Sequence, residues 1–111
     1  MTRSYLYGEQ TMAFEMIVGL TVSDDAGYQS YRDAMTPLLT AQGGGFRYDF
    51  VVSKALKSAS PHVINRVFAI YFKHKASKDA FFSQPEYKAI RARHFEHAVT
   101  GRTVIAEYER A

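Results

Sequence analysis

The chain has 111 residues, 47% of them hydrophobic and 23% charged, with 14 Lys and Arg against 11 Asp and Glu for a formal charge of +3. That is the length of one domain and the composition of a globular one, which argues against wholesale disorder and against a coiled coil. There is no cysteine, which excludes a disulfide scaffold, a thiolate metal centre and a cysteine nucleophile, and no apolar run approaches the roughly 20 residues of a membrane-spanning helix.

Met1 to Thr11 carry one arginine and no continuous apolar stretch, so they do not read as a secretory signal, and cytoplasmic residence is the expectation. Residues 1–12 are expected to form an arm in which Ser4–Tyr7 is either flexible or a short extra strand, with Met12 as an alternative start. Residues 13–111 are expected to form the single domain. Residues 14–22 are apolar almost throughout and predict a first strand. Ser23 and Asp24 offer a helix N-cap, and Asp25 puts a negative charge in the first turn, where the helix dipole favours it. Tyr28, Tyr31, Met35, Leu38 and Leu39 then recur at helical spacing. Pro37 is expected to bend this helix or end its regular part, and Gly43-Gly44-Gly45 to close it. A phosphate-binding glycine loop follows a strand and precedes a helix; this one does the opposite.

Phe46 to Phe50 alternate as a second strand, and Lys54 to His62 read as the loop of a wide hairpin. Residues 63–72 are a second nearly continuous apolar strand. A helical region is expected from Ser77 to about Thr100, restarting at Ser83-Gln84-Pro85-Glu86, where proline suits a first turn and the serine and glutamate resemble a capping box. Gly101 is expected to stop it, with Thr103 to Glu109 as the last strand. The order β-α-β-β-α-β is the ferredoxin-like plan, an α+β fold with a four-stranded antiparallel sheet. In that plan the first and third strands are central, and they are the two continuous apolar runs. Two helices cover one face of such a sheet and leave the other seeking cover, so a homodimer through the sheet face is expected.

The local enrichment Lys88, Arg91, Arg93, His94 and His97 reads first as the solvated face of a helix and second as contact with an anionic ligand. Nucleic acid is not expected, because the basic residues form no stripe, and no membrane partner is expected. His94 and His97 are three apart on a helix, but with only Glu86 and Glu96 near them no third metal ligand is set by spacing, so no metal and no cofactor are expected. Tyr28, Tyr31 and Tyr87 would line a seam between helix and sheet, as core or as the wall of a ligand pocket. Arg66 lies in an apolar strand and needs a partner, for which Asp49 and Glu15 are the candidates. It is either half of a structural ion pair or a clamp for an anion, with His94 as an acid or base near neutral pH. The candidate ligand-binding set is therefore Tyr28, Tyr31, Arg66, Tyr87 and His94, and Arg66 and His94 are also the only candidates for catalysis.

Ser23-Asp24-Asp25 with Tyr28 and Tyr31, the Gly43-Gly44-Gly45-Phe46 turn, Arg66 opening a strand that ends at Phe72, and Pro85-Glu86-Tyr87 with Ala89 and Ile90 together resemble the bacterial family known as domain of unknown function 1330, in the dimeric α/β-barrel superfamily. The resemblance runs from about Phe14 to Tyr108. The chain departs from the family where a basic residue of the second strand is replaced by Asp49, an acidic one of the third by Tyr71 and an arginine late in the last helix by His94, and Tyr108-Glu109 stands without the common Glu-Gly pair. The family brings no established reaction. The leading expectation is a dimeric ferredoxin-like protein that binds a small aromatic or carboxylate-bearing molecule between helices and sheet. Superfamily analogy offers a cofactor-independent monooxygenase-like or isomerase-like enzyme as one alternative, although the chain lacks the tryptophan common in monooxygenase sites. A structural or protein-interaction module is the other.

Overall fold

The computed structural model describes residues 12–111, so the expected arm lies outside the described residues except for Met12. Strand β1 (Ala13–Val22) leads to helix α1 (Asp25–Ala41), strands β2 (Gly45–Val51) and β3 (Arg66–Phe72), helices α2 (Lys75–Ser83) and α3 (Pro85–Ile90), a π-helical turn (Arg91–Phe95), a last turn α4 (Glu96–Ala98) and strand β4 (Val99–Arg110). The sheet is antiparallel in the order β2-β3-β1-β4, with the two apolar strands at its centre.

Asp24 caps α1 by accepting a hydrogen bond from the Gly27 amide at 3.1 Å. Pro37 does not end the regular part of this helix, which runs on to Ala41. A proline inside a helix costs about 3 kcal/mol, and the complete burial of Leu39 one half-turn later offsets it. Gly43, at φ 79°, makes the left-handed turn after the helix. The capping box does not form: Gln84 is the N-cap of α3 without a side-chain bond, Ser83 Oγ donates instead to the Asp79 carbonyl at 2.7 Å, and Pro85 takes the first helical position. The last strand starts at Val99, earlier than the sequence pattern predicts, so Gly101 lies inside it. There a Cβ would stand 2.5 Å from the His62 ring, and glycine is what lets that ring approach. Likewise β3 begins at Arg66 rather than at residue 63. Asn65 mimics a strand neighbour with its side-chain amide, bonding both N–H and C=O of Val22 at 2.8 and 2.9 Å.

Phe14, Met16, Val18 and Leu20 of β1 and Phe68, Ile70 and Phe72 of β3 face the helices and form the core with Tyr28, Met35, Leu39 and Phe81. The strict alternation read in β2 is broken by a bulge. Phe46 pairs with Ile70 and Tyr48 with Ala69, leaving Arg47 as the extra residue. Phe46 and Asp49 therefore share the helix face, while Tyr48 and Phe50 stack on the open face with ring centres 5.8 Å apart. Arg47 turns to the open face too, where it makes a bidentate pair with Glu15 at 2.7 and 2.8 Å. Glu15 has no exposed surface. It also accepts from Tyr108 Oη and, at 3.2 Å, from Arg110 Nε.

The Arg47 hydrogen bonds outweigh the cost of burial and, with those of Tyr108 and the charge of Arg110, hold the Glu15 carboxyl at about 2. Because this lies below the value in the unfolded chain, the stabilisation is full above about pH 4.5 and is lost as the pH falls through about 2. Glu15→Gln should cost about 3 kcal/mol in urea melts at pH 7, the low end for a broken buried pair because both arginines can turn to water. At fixed protein concentration the gap between variant and wild type should close as the pH approaches 2; a gap that is unchanged there would assign the loss to packing alone.

Candidate functional site

A cavity of about 320 Å³ lies between the helices and the sheet, the lower end of ligand-sized pockets. Its floor is Met16, Val18 and Leu20 of β1 with Phe68 and Ile70 of β3; its roof is built by Tyr28, Tyr31 and Met35 of α1, and Phe46 and Phe82 close two sides. The remaining wall comes from the last helical region, where Tyr87, Arg91 and Phe95 recur every four residues and so share one face. The backbone widens into a π turn there, with the Glu96 amide donating to the Arg91 carbonyl five residues back, a feature frequent at functional sites. Across the cavity Arg102 pairs with Leu20 on β4, which puts its side chain on the helix face.

Inside, the Tyr31 and Tyr87 hydroxyls are 2.7 Å apart and buried. Burial pushes both phenols up from their ordinary pKa, so both are neutral at physiological pH and act as hydrogen-bond donors rather than as bases. The Tyr31 ring meets Tyr28, Tyr87 and Phe95 at 5.7, 6.2 and 4.9 Å. At one end of the α1–sheet seam is a polar cluster. Asp49 receives a bidentate pair from Arg66 at 2.8 and 2.9 Å and lies 2.8 Å from Arg32 Nη2. Arg32 Nε donates to Tyr28 Oη at 3.0 Å, and its guanidinium lies 3.7 Å over the Phe46 ring. Burial raises the Asp49 carboxyl, but the Arg66 hydrogen bonds and the charges of Arg32 and Arg66 outweigh it and leave it below the usual carboxylate range.

Of the residues singled out from sequence, the fold brings Tyr28, Tyr31 and Tyr87 to the cavity wall. Arg66 faces the helices, its guanidinium 5.0 Å from the Tyr28 ring centre, and is engaged by Asp49 rather than by Glu15. His94 is half-buried on the π turn and is not among the cavity's lining residues, and His97 is exposed. Lys88 and Arg91, for which contact with an anionic ligand was only the second reading of the sequence, stand at the cavity, as does Arg102, which the sequence did not single out. The four-residue spacing from Tyr87 to Arg91 to Phe95 was the available signal for Arg91; nothing local marks Arg102. No group of three or more His, Asp or Glu that could hold a metal occurs among the described residues, and no helix among them is long and apolar enough to cross a membrane.

The pairing of Tyr31 and Tyr87 can be measured. Tyr31→Phe leaves a buried hydroxyl without its partner and should cost about 1–2 kcal/mol. Tyr31→Phe combined with Tyr87→Phe should cost clearly less than twice that in denaturant melts; simple additivity would mean that the two hydroxyls do not depend on each other.

The fold recurs in solved structures. A protein of unknown function from Rhodopseudomonas palustris, RPA0582, superposes with a TM-score of 0.69 at 14% identity over 90% of this chain and 82% of its own. A dabb-family protein with a ferredoxin-like fold from Mesorhizobium loti gives 0.54 at 16% over 90% and 96%. A dimeric ferredoxin-like protein of unknown function from Thermobifida fusca gives 0.53 at 15% over 99% of both chains. At these identities the likeness is one of fold. No curated protein matches the chain. The model of the domain of unknown function DUF1330 matches residues 15–108, and the chain is a member of that family, with a ferredoxin-like α+β fold.

Proposed function

We propose that the protein binds a small aromatic or carboxylate-bearing molecule in the cavity between helices and sheet, as a homodimer paired through the open sheet face. The observation that carries the first part is the cavity itself, a ligand-sized space walled by aromatic rings with one hydroxyl pair inside. Close-packed cores leave few voids larger than a water molecule, so a space of this size beneath α1 is a site rather than a packing defect. Its described lining residues include no carboxylate and no histidine, which favours binding over proton-transfer chemistry.

Methyl NMR tests this reading, because the cavity is lined by Met16 and Met35, two of the four methionines. Titration with a set of one- and two-ring acids, amides and phenols should shift those two methyl signals. Met35→Trp should fill the space and abolish the shift of the remaining Met16 methyl while leaving the far-ultraviolet circular dichroism unchanged. A full set that moves neither methyl would overturn the assignment of the cavity.

For the second part, Tyr48 and Phe50 on β2 and Ile105 on β4, all on the open face, are 50%, 53% and 52% exposed in a single chain, and apolar side chains left bare on a sheet face favour an interface. The neighbour from Thermobifida fusca is described as dimeric. A two-fold pairing would bury the same patch on both copies. Sedimentation should report a dimer at micromolar concentration, and Phe50→Asp with Ile105→Asp should convert it to a folded monomer. A wild type that sediments as a monomer at 100 μM would remove the sheet-face pairing.

A further inference from the structure

The cavity's polar groups are arranged along one direction, and that arrangement names a ligand class. This step rests on the reading of the cavity as a ligand site. Lys88 and Arg102 are exposed and Arg91 is half-buried, all three line the cavity, and none enters an ion pair among the described residues. Arg91 lies 4.9 Å over the Phe95 ring, and its Nε is buried without a hydrogen-bond partner among the described residues. A desolvated guanidinium N–H left unbonded costs free energy that an anionic acceptor would recover. Three cations from α3, the π turn and β4, with no carboxylate among the described residues that line the same cavity, make the charged side they form uniformly positive.

The second observation is a proton count. Tyr31 and Tyr87 are 5% and 4% exposed and have two hydroxyl protons between them. One is used in the bond that joins them. Neither tyrosine has another hydrogen-bond partner among the described residues, so the second buried O–H has no acceptor among them. A neutral oxygen on a ligand would supply one. Around this pair the walls are rings (Tyr28, Phe46, Phe68, Phe82, Phe95), which favour a flat aromatic body through edge and offset contacts.

We infer that the cavity selects an aromatic monoacid bearing a second, neutral oxygen, with its anionic group at Lys88, Arg91 and Arg102 and its neutral oxygen accepting from the Tyr31–Tyr87 pair. The bound molecule is thus polarised, charged end toward the cations and ring system beneath α1. Both phenols stay protonated and act as donors, and the guanidinium of Arg91 exchanges an unbonded N–H for a charge-assisted bond.

Matched probes test this: 3- and 4-benzoylbenzoate, the corresponding benzoylbenzamides, and the keto-free benzylbenzoates, each followed through the Met16 and Met35 methyls. The better acid should bind at least tenfold more tightly than its amide, and the preference should shrink severalfold on raising NaCl from 50 to 500 mM. In Arg102→Gln, an exposed position whose substitution leaves the fold intact, and in Arg91→Gln, acid and amide should converge. Loss of the keto oxygen should weaken wild type severalfold and leave the variant carrying both Tyr31→Phe and Tyr87→Phe unaffected. Amides that bind as well as acids would overturn the anion assignment while leaving the cavity a ligand site. Keto-free acids that bind as well as keto acids would overturn the tyrosine assignment. Probes that move neither methyl would overturn this inference and, if the wider set also fails, the ligand reading beneath it.

Discussion

The helices of this chain can cover only one face of its sheet, and most of the structure answers to that limit. β1 and β3 lie at the centre, so their side chains on both faces have strand neighbours and neither face can be given wholly to water. On the covered face the strands present large apolar groups that meet the stripe of α1. On the open face they present Ile17, Gly19, Val67 and Ala69, together with one carboxylate, Glu15, that is shut off from solvent by neighbours on the same face. The loop between β2 and β3 also returns over this face. His62 bridges Thr21 and Thr103 at 2.8 and 2.7 Å, and Ile64 packs on Gly19. What the chain's own loop leaves bare is the aromatic patch of Tyr48 and Phe50 on one edge strand and Ile105 on the other.

Two of the three register shifts in the edge strands answer to this demand. A strand alternates its side chains, so Phe46 and Asp49, three residues apart, would fall on opposite faces of a regular β2. The extra residue at Arg47 brings both to the helix side, one to wall the cavity and the other to tie Arg32 of α1 to Arg66 of β3. The same bulge sends Arg47 to Glu15, so a single backbone irregularity serves the helix-side polar cluster and the buried ion pair of the open face. On β4 the register shift opposite Ile17 and Val18 leaves Ile105 as the extra residue beside Gly19 while keeping Val104 toward the helices.

The cavity follows from the same geometry. Tyr28 and Tyr31 of α1 and Tyr87 and Phe95 of the last helical region lean toward each other above a floor of strand residues. Their rings meet at their edges and leave space between them instead of interdigitating fully. The π turn rotates the chain just where Arg91 and Phe95 reach that space. The basic enrichment of the last helix is thereby split: Lys88 and Arg91 stand at the cavity, Arg93 and His97 are exposed, and His94 lies half-buried between these groups.

How much of this was legible in the amino-acid sequence depended on the range of the forces involved. Alternation and helical spacing are local, so the order of the elements, the N-cap at Asp24, the left-handed Gly43, the two central strands and the tyrosine face of α1 could all be read directly. The resemblance from Phe14 to Tyr108 agreed with them. Element ends were less legible. Gly101 resembles a helix stop until His62, distant in sequence, occupies the place of its missing Cβ; Pro37 resembles a break until burial of Leu39 outweighs the lost bond. The partner of Arg66 was narrowed to Asp49 or Glu15 by strand adjacency, but the choice needed the bulge at Arg47, which no alternation pattern announces. Sequence by itself thus determined the fold class, the strand order and the apolar faces, because those follow from period and composition. Only the tertiary structure decided which charges converge on the cavity and which carboxylate takes which arginine, because those depend on register and phase between strands far apart in the chain.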